Sequence, residues 1–180
     1  TFYFELPATN PTEEAQTTDT SVTITDTSDA PATIDKKQYT LLVVEDENEL
    51  REYLQQALSE NFKEVFSAPN AQEALDICRR EQPSLIISDI MMTGMDGFEF
   101  CRQVKNDLSI SHIPIILLTA RTDENSVKFG YKQGADFYMP KPFDMDFLQT
   151  IICNLINNRE RKRLSFSESE SIATPQEATI

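Results

Sequence analysis

LIISDIMMTGMDG, residues 85–97, is the segment that decides the fold. Its first four residues form a largely apolar run, which ends in a lone acid, Asp89, and is followed by a turn containing Gly94 and Gly97. Such a run is typical of a parallel strand that helices cover on both faces. The two glycines predict a turn that needs positive φ. The segment therefore predicts a strand, a turn and a helix within an α/β layer structure.

Three other apolar runs also end in polar residues. Glu45 and Asp46 follow LLVV, Thr119 follows IPIILL, and Lys141 follows DFYMP. Asp46, Asp89, Thr119 and Lys141 are 43, 30 and 22 residues apart, which leaves room for one helix between consecutive strands. If the strands are parallel, these side chains converge at the carboxyl edge of the sheet, where open α/β sheets bind ligands.

Between residues 39 and 159, strand-like runs alternate with helical ones. The predicted strands are 41–44, 65–68, 85–88, 115–118 and 135–139, and we expect the first, third and fourth at the centre of the sheet. Helices are predicted over 98–105, more weakly over 122–133, and from Asp144 past residue 157, with Gly134 at a helix C-terminus and Asp144 as an N-cap. Apolar stripes at helical spacing predict the core-facing residues. These are Leu50, Tyr53, Leu54, Ala57 and Leu58; Ala71, Ala74, Leu75 and Cys78; and Phe147, Ile151, Ile152 and Leu155.

The composition narrows the class of protein. The 180 residues carry a formal net charge of −14, which opposes binding to the phosphate backbone of nucleic acids. The sequence contains no run of about 18 apolar residues, so it predicts no membrane span. The cysteines Cys78, Cys101 and Cys153 are widely spaced, which predicts buried, reduced thiols in a cytoplasmic protein. We expect one ordinary domain with tails, and no direct nucleic acid or membrane contact by it.

The predicted sheet edge would bring together the carboxylates of Glu45, Asp46 and Asp89. Two like charges about 4 Å apart repel by roughly 4 kcal/mol at an effective dielectric near 20, so a cation has to compensate. A hard divalent ion such as Mg²⁺ fits oxygen ligands best, and Lys141 adds a fixed positive charge. These groups predict phosphoryl chemistry, in which Asp89 forms an acyl phosphate and Thr119 and Lys141 bind the phosphoryl oxygens.

The motifs VVEDE, LIISDIMMTGMDG, LLTA and MPKPF resemble, in order and spacing, the receiver domain of bacterial two-component response regulators. The resemblance covers about residues 39–160. It implies a flavodoxin-like fold, in which a doubly wound five-stranded parallel sheet has the strand order 2-1-3-4-5. It also implies that Asp89 takes a phosphoryl group from a phosphohistidine, in a phosphorelay that depends on Mg²⁺ or Mn²⁺.

The same resemblance implies a role for each site residue. Asp46, Asp89, Glu45 and the carbonyl of Met91 would hold the metal; Lys141 and Thr119 would assist phosphotransfer; Thr119 and Tyr138 would form the conformational switch; and the Lys141–Pro142 bond would be cis. Two residues depart from the family pattern: Glu45 stands where the family more often has Asp, and Thr93 where it usually has Pro. The extra methylene of Glu45 suggests a water-mediated contact to the metal. The long side chains of Met91 and Arg121 suggest a persistent acyl phosphate, because they would hinder attacking water.

The flanking segments suggest a longer signalling protein. Residues 1–7, TFYFELP, resemble the last strand of a histidine kinase ATP-binding domain. Residues 8–38 are acidic and Thr-rich, which predicts a disordered linker, with a short strand over 22–25 as the alternative. Residues 161–180 resemble the connector to an AraC-type helix-turn-helix domain.

With a receiver domain at 39–160, this order implies a hybrid sensor histidine kinase. The phosphohistidine-bearing kinase domain would lie in the same polypeptide, and a DNA-binding output domain for transcription regulation would lie beyond these residues. The location would be cytoplasmic, as the cytoplasmic portion of an inner-membrane sensor protein. A homodimer is expected through the face formed by the helix over 122–133, the fifth strand and the last helix.

Two other functions start from the same residues. A receiver fold that never carries phosphate would work as a docking or dimerisation module. A haloacid-dehalogenase-like phosphatase also uses an Asp nucleophile and Mg²⁺, but it needs a second acid two residues later, where this chain has Met91. His112 and the basic run 159–163 are most simply solvated residues.

Overall fold

The five predicted strands lie side by side in one parallel sheet. The computed structural model describes residues 35–120, 132 and 134–171, with the backbone alone at 165–171. Its strands are β1 (Thr40–Val44), β2 (Glu64–Ala68), β3 (Leu85–Asp89), β4 (Ile115–Thr119) and β5 (Phe137–Pro140), in the order β2-β1-β3-β4-β5. The predicted flavodoxin-like strand order is confirmed, with β1, β3 and β4 at the centre.

Helices cover both faces of this sheet. A short 3-10 helix (Lys36–Gln38) precedes β1 and is followed by α1 (Asn48–Ser59), α2 (Ala71–Glu81), α3 (Gly97–Asn106) and a C-terminal helix (Met145–Ser171). Leu42 and Val44 of β1 pack towards α2 and α3, whereas Leu41 and Val43 pack towards α1 and the C-terminal helix. Because β1, β3 and β4 are covered on both faces, the middle of each strand is a continuous apolar run, in which each buried side chain contributes about 1.5–3 kcal/mol.

Side-chain caps set where three helices begin. Asn70 accepts a hydrogen bond from the Glu73 amide before α2, and Asp96 accepts one from the Glu99 amide before α3. Asp144 Oδ1 accepts a hydrogen bond of 2.9 Å from the amide of Phe147, which confirms the predicted N-cap of the C-terminal helix. Each cap satisfies a backbone donor that the first helical turn leaves without a partner.

The glycines of the central loop serve two different purposes. Gly94 has φ +85° and Gly134 has φ +91°, so positive φ is confirmed at Gly94, whereas the helix predicted to end at Gly134 lies outside the described residues apart from Lys132. At Gly97 the prediction of positive φ was wrong. A Cβ there would overlap the carbonyl oxygen of Asp89 and lie 2.8 Å from Cα of Ile90. Gly97 is needed because the first turn of α3 packs directly against the end of β3.

The fifth strand begins later than predicted, at Phe137 rather than 135. The reason is the side chain of Asp136, whose Oδ2 accepts hydrogen bonds of 2.9 Å from the amide of Ile115 and from Lys105 Nζ. The amide of Asp136 donates in turn to the Ile115 carbonyl at 2.9 Å. Asp136 therefore terminates the ladder at the start of β4 instead of extending β5.

Two residues predicted to face the core are exposed. The stripe of α2 is confirmed, but Tyr53 of α1 is 53% exposed and Phe147 is 49% exposed. Ile152 is buried as predicted, but Leu148 and Ile156 take the places expected for Phe147 and Leu155, so the most buried stripe of the C-terminal helix is shifted by one residue. Phe147 lies beside this stripe, edge-on to Phe137 at 6.3 Å between ring centroids.

The C-terminal helix continues past residue 160. Arg159, predicted as part of a solvated run, is only partly exposed, and its Nη1 donates to the carbonyl of Ser84 at 3.2 Å. Cys78 and Cys101 are buried and Cys153 is half-buried, all as free thiols. Among the described residues, none of the helices combines the length and the apolar character that a membrane crossing requires. The predictions for 1–34, Arg121, the helix over 122–133 (apart from Lys132) and 172–180 lie outside the described residues.

The shifted stripe of the C-terminal helix can be tested with two adjacent substitutions. Leu148→Ala should lower the free energy of unfolding by about 2–5 kcal/mol, because it leaves a cavity beneath the sheet. Phe147→Ala should cost about 1 kcal/mol or less, since half of that ring is already in water. Urea unfolding followed by circular dichroism measures both values. An equal or larger loss for Phe147→Ala would contradict the observed helix register.

Candidate functional site

Polar residues at the ends of four strands lie at the carboxyl edge of the sheet. Glu45 and Asp46 follow β1, and Asp89 is the last residue of β3, the strand beside it. Thr119 ends β4, and Lys141 follows β5 directly. Strand order reverses between β1 and β3, and such a switch point leaves a crevice at the carboxyl ends of the strands. The predicted convergence of these side chains is confirmed for the three acids and Lys141.

The three acids form one cluster. One carboxylate oxygen from each of Glu45, Asp46 and Asp89 lies within 4.8 Å of the others. Glu45 is 2% exposed and Asp89 5%, whereas Asp46 is open to solvent. Two carboxylates are thus withdrawn from water at the floor of the crevice, and the third stands at its entrance.

Lys141 lies between the two buried acids. Its Nζ is 2.9 Å from Glu45 Oε2 and 2.8 Å from Asp89 Oδ1. Its amide donates to the carbonyl of Thr119 at 2.6 Å, which fixes the backbone beside the site. The Lys141–Pro142 bond that follows is cis, as predicted. One ammonium facing three carboxylates leaves the cluster with two negative charges in excess when all of them are ionised.

Backbone and side-chain donors of the loop after β3 bond to one oxygen of Asp89 and one oxygen of Asp46. The amide of Met91 donates to Asp89 Oδ2 at 2.9 Å, so the two oxygens of Asp89 have different partners. The amide and the hydroxyl of Thr93 both donate to Asp46 Oδ2, at 3.0 and 3.2 Å. The loop between β3 and α3 therefore contacts both Asp89 and Asp46.

Arg51 is a site residue that the sequence did not reveal. Its Nη1 donates to the main-chain carbonyl of Glu45 at 2.8 Å and lies 3.4 Å from that of Asp46. Its Nη2 donates to Asn48 Oδ1 at 2.5 Å. An arginine in the first turns of α1 has the sequence pattern of an ordinary surface residue. The pattern therefore gives no sign that its side chain bonds to the backbone of the site. Arg51 fixes the backbone that carries two of the three acids.

Burial and neighbouring charges set the protonation of this cluster. Burial raises the pKa of Glu45, and the negative charge of Asp89 adds to the rise, although the hydrogen bond and charge of Lys141 oppose it. Burial also opposes the charged form of Lys141, but its hydrogen bonds to Asp89 and Glu45 outweigh burial and raise its pKa. The raised pKa of Lys141 and the raised pKa of Glu45 are consistent with each other. Lys141 pairs with two anions, whereas Glu45 and Asp89 pair with the same single cation.

The cluster fits a divalent cation. Three carboxylates offer hard oxygen donors within 4.8 Å of one another, which is the ligand type that Mg²⁺ and Mn²⁺ take. Lys141 brings one positive charge to three carboxylates, and its Nζ pairs with only two of them, Glu45 and Asp89. A divalent ion near Asp46 and Asp89 would balance the excess.

The predicted switch residues lie beside this cluster. Thr119 is 2% and Tyr138 7% exposed, and the Tyr138 ring stacks on Phe98 with centroids 6.3 Å apart. Both line a groove of about 420 Å³, together with Met91 and Thr93. Met91 itself is 60% exposed at the rim.

Residues 41–153 match the response regulator receiver domain. This chain belongs to the response regulator receiver family. Histidine kinase P4 of Formosa agariphila is 38% identical over 146 residues, which are 81% of this chain and 10% of that protein. Response regulator Rre1 of a Synechocystis species is 38% identical over 134 residues, 73% of this chain and 58% of that protein. The receiver thus corresponds to a small part of the kinase and to little more than half of the regulator.

Solved receiver structures resemble this chain closely. The signal receiver domain of a signal transduction histidine kinase from Syntrophus aciditrophicus superposes with a TM-score of 0.61 at 28% identity, covering 79% of this chain and 98% of that one. The chemotaxis protein CheY4 of Vibrio cholerae gives 0.62 at 29% identity, covering 65% and 98%. The part of this chain that these structures cover is therefore one whole receiver domain.

Removing the cation of the receiver site should make stability depend on pH. Lys141→Met leaves two buried carboxylates without their ammonium and should cost about 3–5 kcal/mol at pH 8. The pKa of Glu45, already raised, would rise further, so the folded state would bind a proton that the unfolded state releases. The free energy of unfolding would then fall as pH rises, and the loss should shrink between pH 8 and pH 5.

Urea unfolding at both pH values in the presence of EDTA measures this effect. Lys63→Met is the matched control, because Lys63 is exposed and lies outside the acid cluster. The control should change stability by about 0.5 kcal/mol or less, equally at both pH values. A Lys141→Met loss that does not vary with pH would show that Lys141 does not govern the ionisation of Glu45.

Proposed function

We propose that this receiver accepts a phosphoryl group on Asp89 from a phosphohistidine and relays the change in charge to an output module. The observation that carries the proposal is the asymmetric setting of the Asp89 carboxylate. One oxygen is paired with Lys141 Nζ at 2.8 Å, and the other accepts the Met91 amide at 2.9 Å. The carboxylate is thus oriented by two partners and almost buried, beside a groove that opens to solvent.

The transfer is a direct displacement at phosphorus. An Asp89 oxygen attacks the phosphoryl group, forming a P–O bond while the P–N bond to the donor imidazole breaks. The imidazole leaves with the electron pair of that bond and is protonated from solvent. Lys141 now pairs with the carboxylates of Glu45 and Asp89. It can keep its contact to one of them and bind a phosphoryl oxygen in place of the other. The product on Asp89 is an acyl phosphate.

Positive charge is what this transfer needs, because the transition state spreads negative charge over the phosphoryl oxygens. A bound Mg²⁺ or Mn²⁺ would supply two such charges, held by Asp46, Asp89 and the Met91 carbonyl, with Glu45 acting directly or through water. Thr119 would donate its hydroxyl to a phosphoryl oxygen. Tyr138, in the same groove, would then change its packing and transmit the signal.

Phosphorylation would act on the output module by shifting an equilibrium between two conformations of the receiver. The phosphoryl group carries about 1.5–2 negative charges while the Asp89 carboxylate gives up its own, and the charge in its new position favours whichever arrangement brings Thr119 and Lys141 towards it. We propose that the output and dimerisation surface includes β5 and the C-terminal helix; the helix predicted over 122–133, which we expected to share this surface, lies outside the described residues apart from Lys132. A receiver that only docks, without phosphate, would not need the oriented Asp89.

The longer protein is part of the proposal. The similarity to a histidine kinase of which this chain matches a tenth supports a hybrid sensor kinase, with the phosphohistidine donor in the same polypeptide. The similarity to Rre1, a response regulator, supports an output domain beyond the receiver, and we propose that it binds DNA and regulates transcription. Relay from a phosphohistidine and three free thiols fit the cytoplasm, on the inner side of a membrane-anchored sensor.

Phosphorylation by a small donor tests the function. The chain incubated with acetyl phosphate and Mg²⁺ should gain one phosphoryl group by intact mass, and hydroxylamine should remove it. Asp89→Asn and addition of EDTA should each abolish the adduct. Asp96→Asn is the matched control, since this carboxylate lies in the same loop but caps α3. No adduct with any donor on a folded chain would leave the docking module as the function.

The exposed Met91 side chain should lengthen the life of the acyl phosphate. It stands at the rim of the groove, where it hinders water from reaching the phosphoryl group. After the donor is removed by desalting, the adduct should last well beyond seconds, and Met91→Ala should shorten its half-life several-fold. Leu108→Ala, at an exposed remote position, should not change it. Decay of the wild-type adduct within seconds would overturn this expectation.

A further inference from the structure

Thr93 makes two contacts to a single acid oxygen. Its amide donates to Asp46 Oδ2 at 3.0 Å, and its hydroxyl donates to the same oxygen at 3.2 Å. Within the described part of the chain, Thr93 is the only residue whose groups donate to the Asp46 carboxylate. Asp46 is also the one exposed member of the acid cluster, so its side chain would otherwise rotate freely in water.

The loop that presents Thr93 is itself fixed at both ends. The amide of Met91 is bonded to Asp89 Oδ2, and the amide of Gly97 donates to the carbonyl of Ile90 at 3.0 Å. Gly97 packs against the end of β3 too closely to accept a side chain. Thr93 is therefore held at a set distance from Asp89, and through its two donors it sets the position of Asp46 as well.

We propose that Thr93 is a positioning residue for the cation site, which holds the Asp46 carboxylate ready for Mg²⁺. The inference rests on the proposed function, in which Asp46 helps to hold the cation. The two donors occupy both lone pairs of Oδ2 and leave Oδ1 for the ion, so less side-chain freedom is lost when the ion binds. Replacing the hydrogen-bond partner of a metal ligand typically costs about 10–100-fold in metal affinity or activity.

The contact between Thr93 and Asp46 is made at a position where this sequence departs from the family pattern. A proline, which receivers usually have at the position of Thr93, has neither an amide hydrogen nor a hydroxyl and could make neither bond. The substitution seen at residue 93 thus adds two donors at the point where the β3–α3 loop approaches β1. Receivers with threonine here would hold their exposed acid more firmly than those with proline.

Mg²⁺ titration of the whole 180-residue chain tests the inference, with affinity measured by isothermal calorimetry and by amide chemical shifts. Thr93→Val keeps the shape and the amide but removes the hydroxyl, and should weaken Mg²⁺ binding roughly threefold. Thr93→Pro removes both donors and should weaken it about tenfold, the low end of the range for such partners. Thr93→Ser should restore wild-type affinity, because it returns the hydroxyl.

Thr150→Val is the matched control, since the hydroxyl of Thr150 bonds the Asp146 carbonyl on the C-terminal helix, away from the site. It should leave Mg²⁺ affinity unchanged. Folded Thr93→Val and Thr93→Pro variants that bind Mg²⁺ as tightly as the wild type, or tighter, would overturn the role of Thr93 alone. A wild-type chain that takes up no Mg²⁺ would overturn the proposed function together with this inference.

Discussion

The position of one ammonium group, Nζ of Lys141, depends on the whole order of the sheet. Lys141 follows β5 at one edge, yet it pairs with Asp89 of β3 and with Glu45, which follows β1. These contacts form only because β4 lies between β3 and β5 in the observed register, with Thr119 beside Pro140. The bond from the Lys141 amide to the Thr119 carbonyl fixes the last link. Residues from three strands thus form one charged site.

The repulsion between the buried carboxylates opposes folding, and the burial of apolar side chains in the core offsets that cost. The raised pKa of Glu45 shows that its charge is unfavourable where it lies, since burial removes water and Asp89 repels it. The apolar residues of β1 and β3 are buried on both faces of the sheet, so the edge of the sheet cannot shift to relieve the repulsion. Gly97 adds to this rigidity, because it lets α3 contact the last peptide of β3. The fold keeps the carboxylates in place in spite of their repulsion.

The sequence predicted the sheet well because four of the five strands carried two signals at once, an apolar run and a polar residue where it stops. That is why Asp89, Lys141 and the strand order could be predicted from local patterns and family resemblance. What failed depended on neighbours far along the chain. Spacing alone put Phe147 in the core, although Leu148 fits beneath the sheet and Phe147 meets Phe137 at its side. Arg51 and Thr93 could not be assigned, because their roles rest on contacts to backbone and carboxylate atoms that no periodicity encodes.

In the proposed function, the number of contacts limits how strong a switch this site can be. Reversing a 1:99 population to 99:1 requires about 5.5 kcal/mol of differential interaction. A hydrogen bond to a charged group contributes about 1.5–3 kcal/mol, so the Lys141 and Thr119 contacts to a phosphoryl group together contribute about 3–6 kcal/mol, which meets the requirement only at its upper end. Lys141 also gives up part of its present pairing with Asp89 and Glu45, which reduces the gain. Complete reversal therefore needs a further contribution, and repacking of Tyr138 against Phe98 is the adjacent source that could supply it.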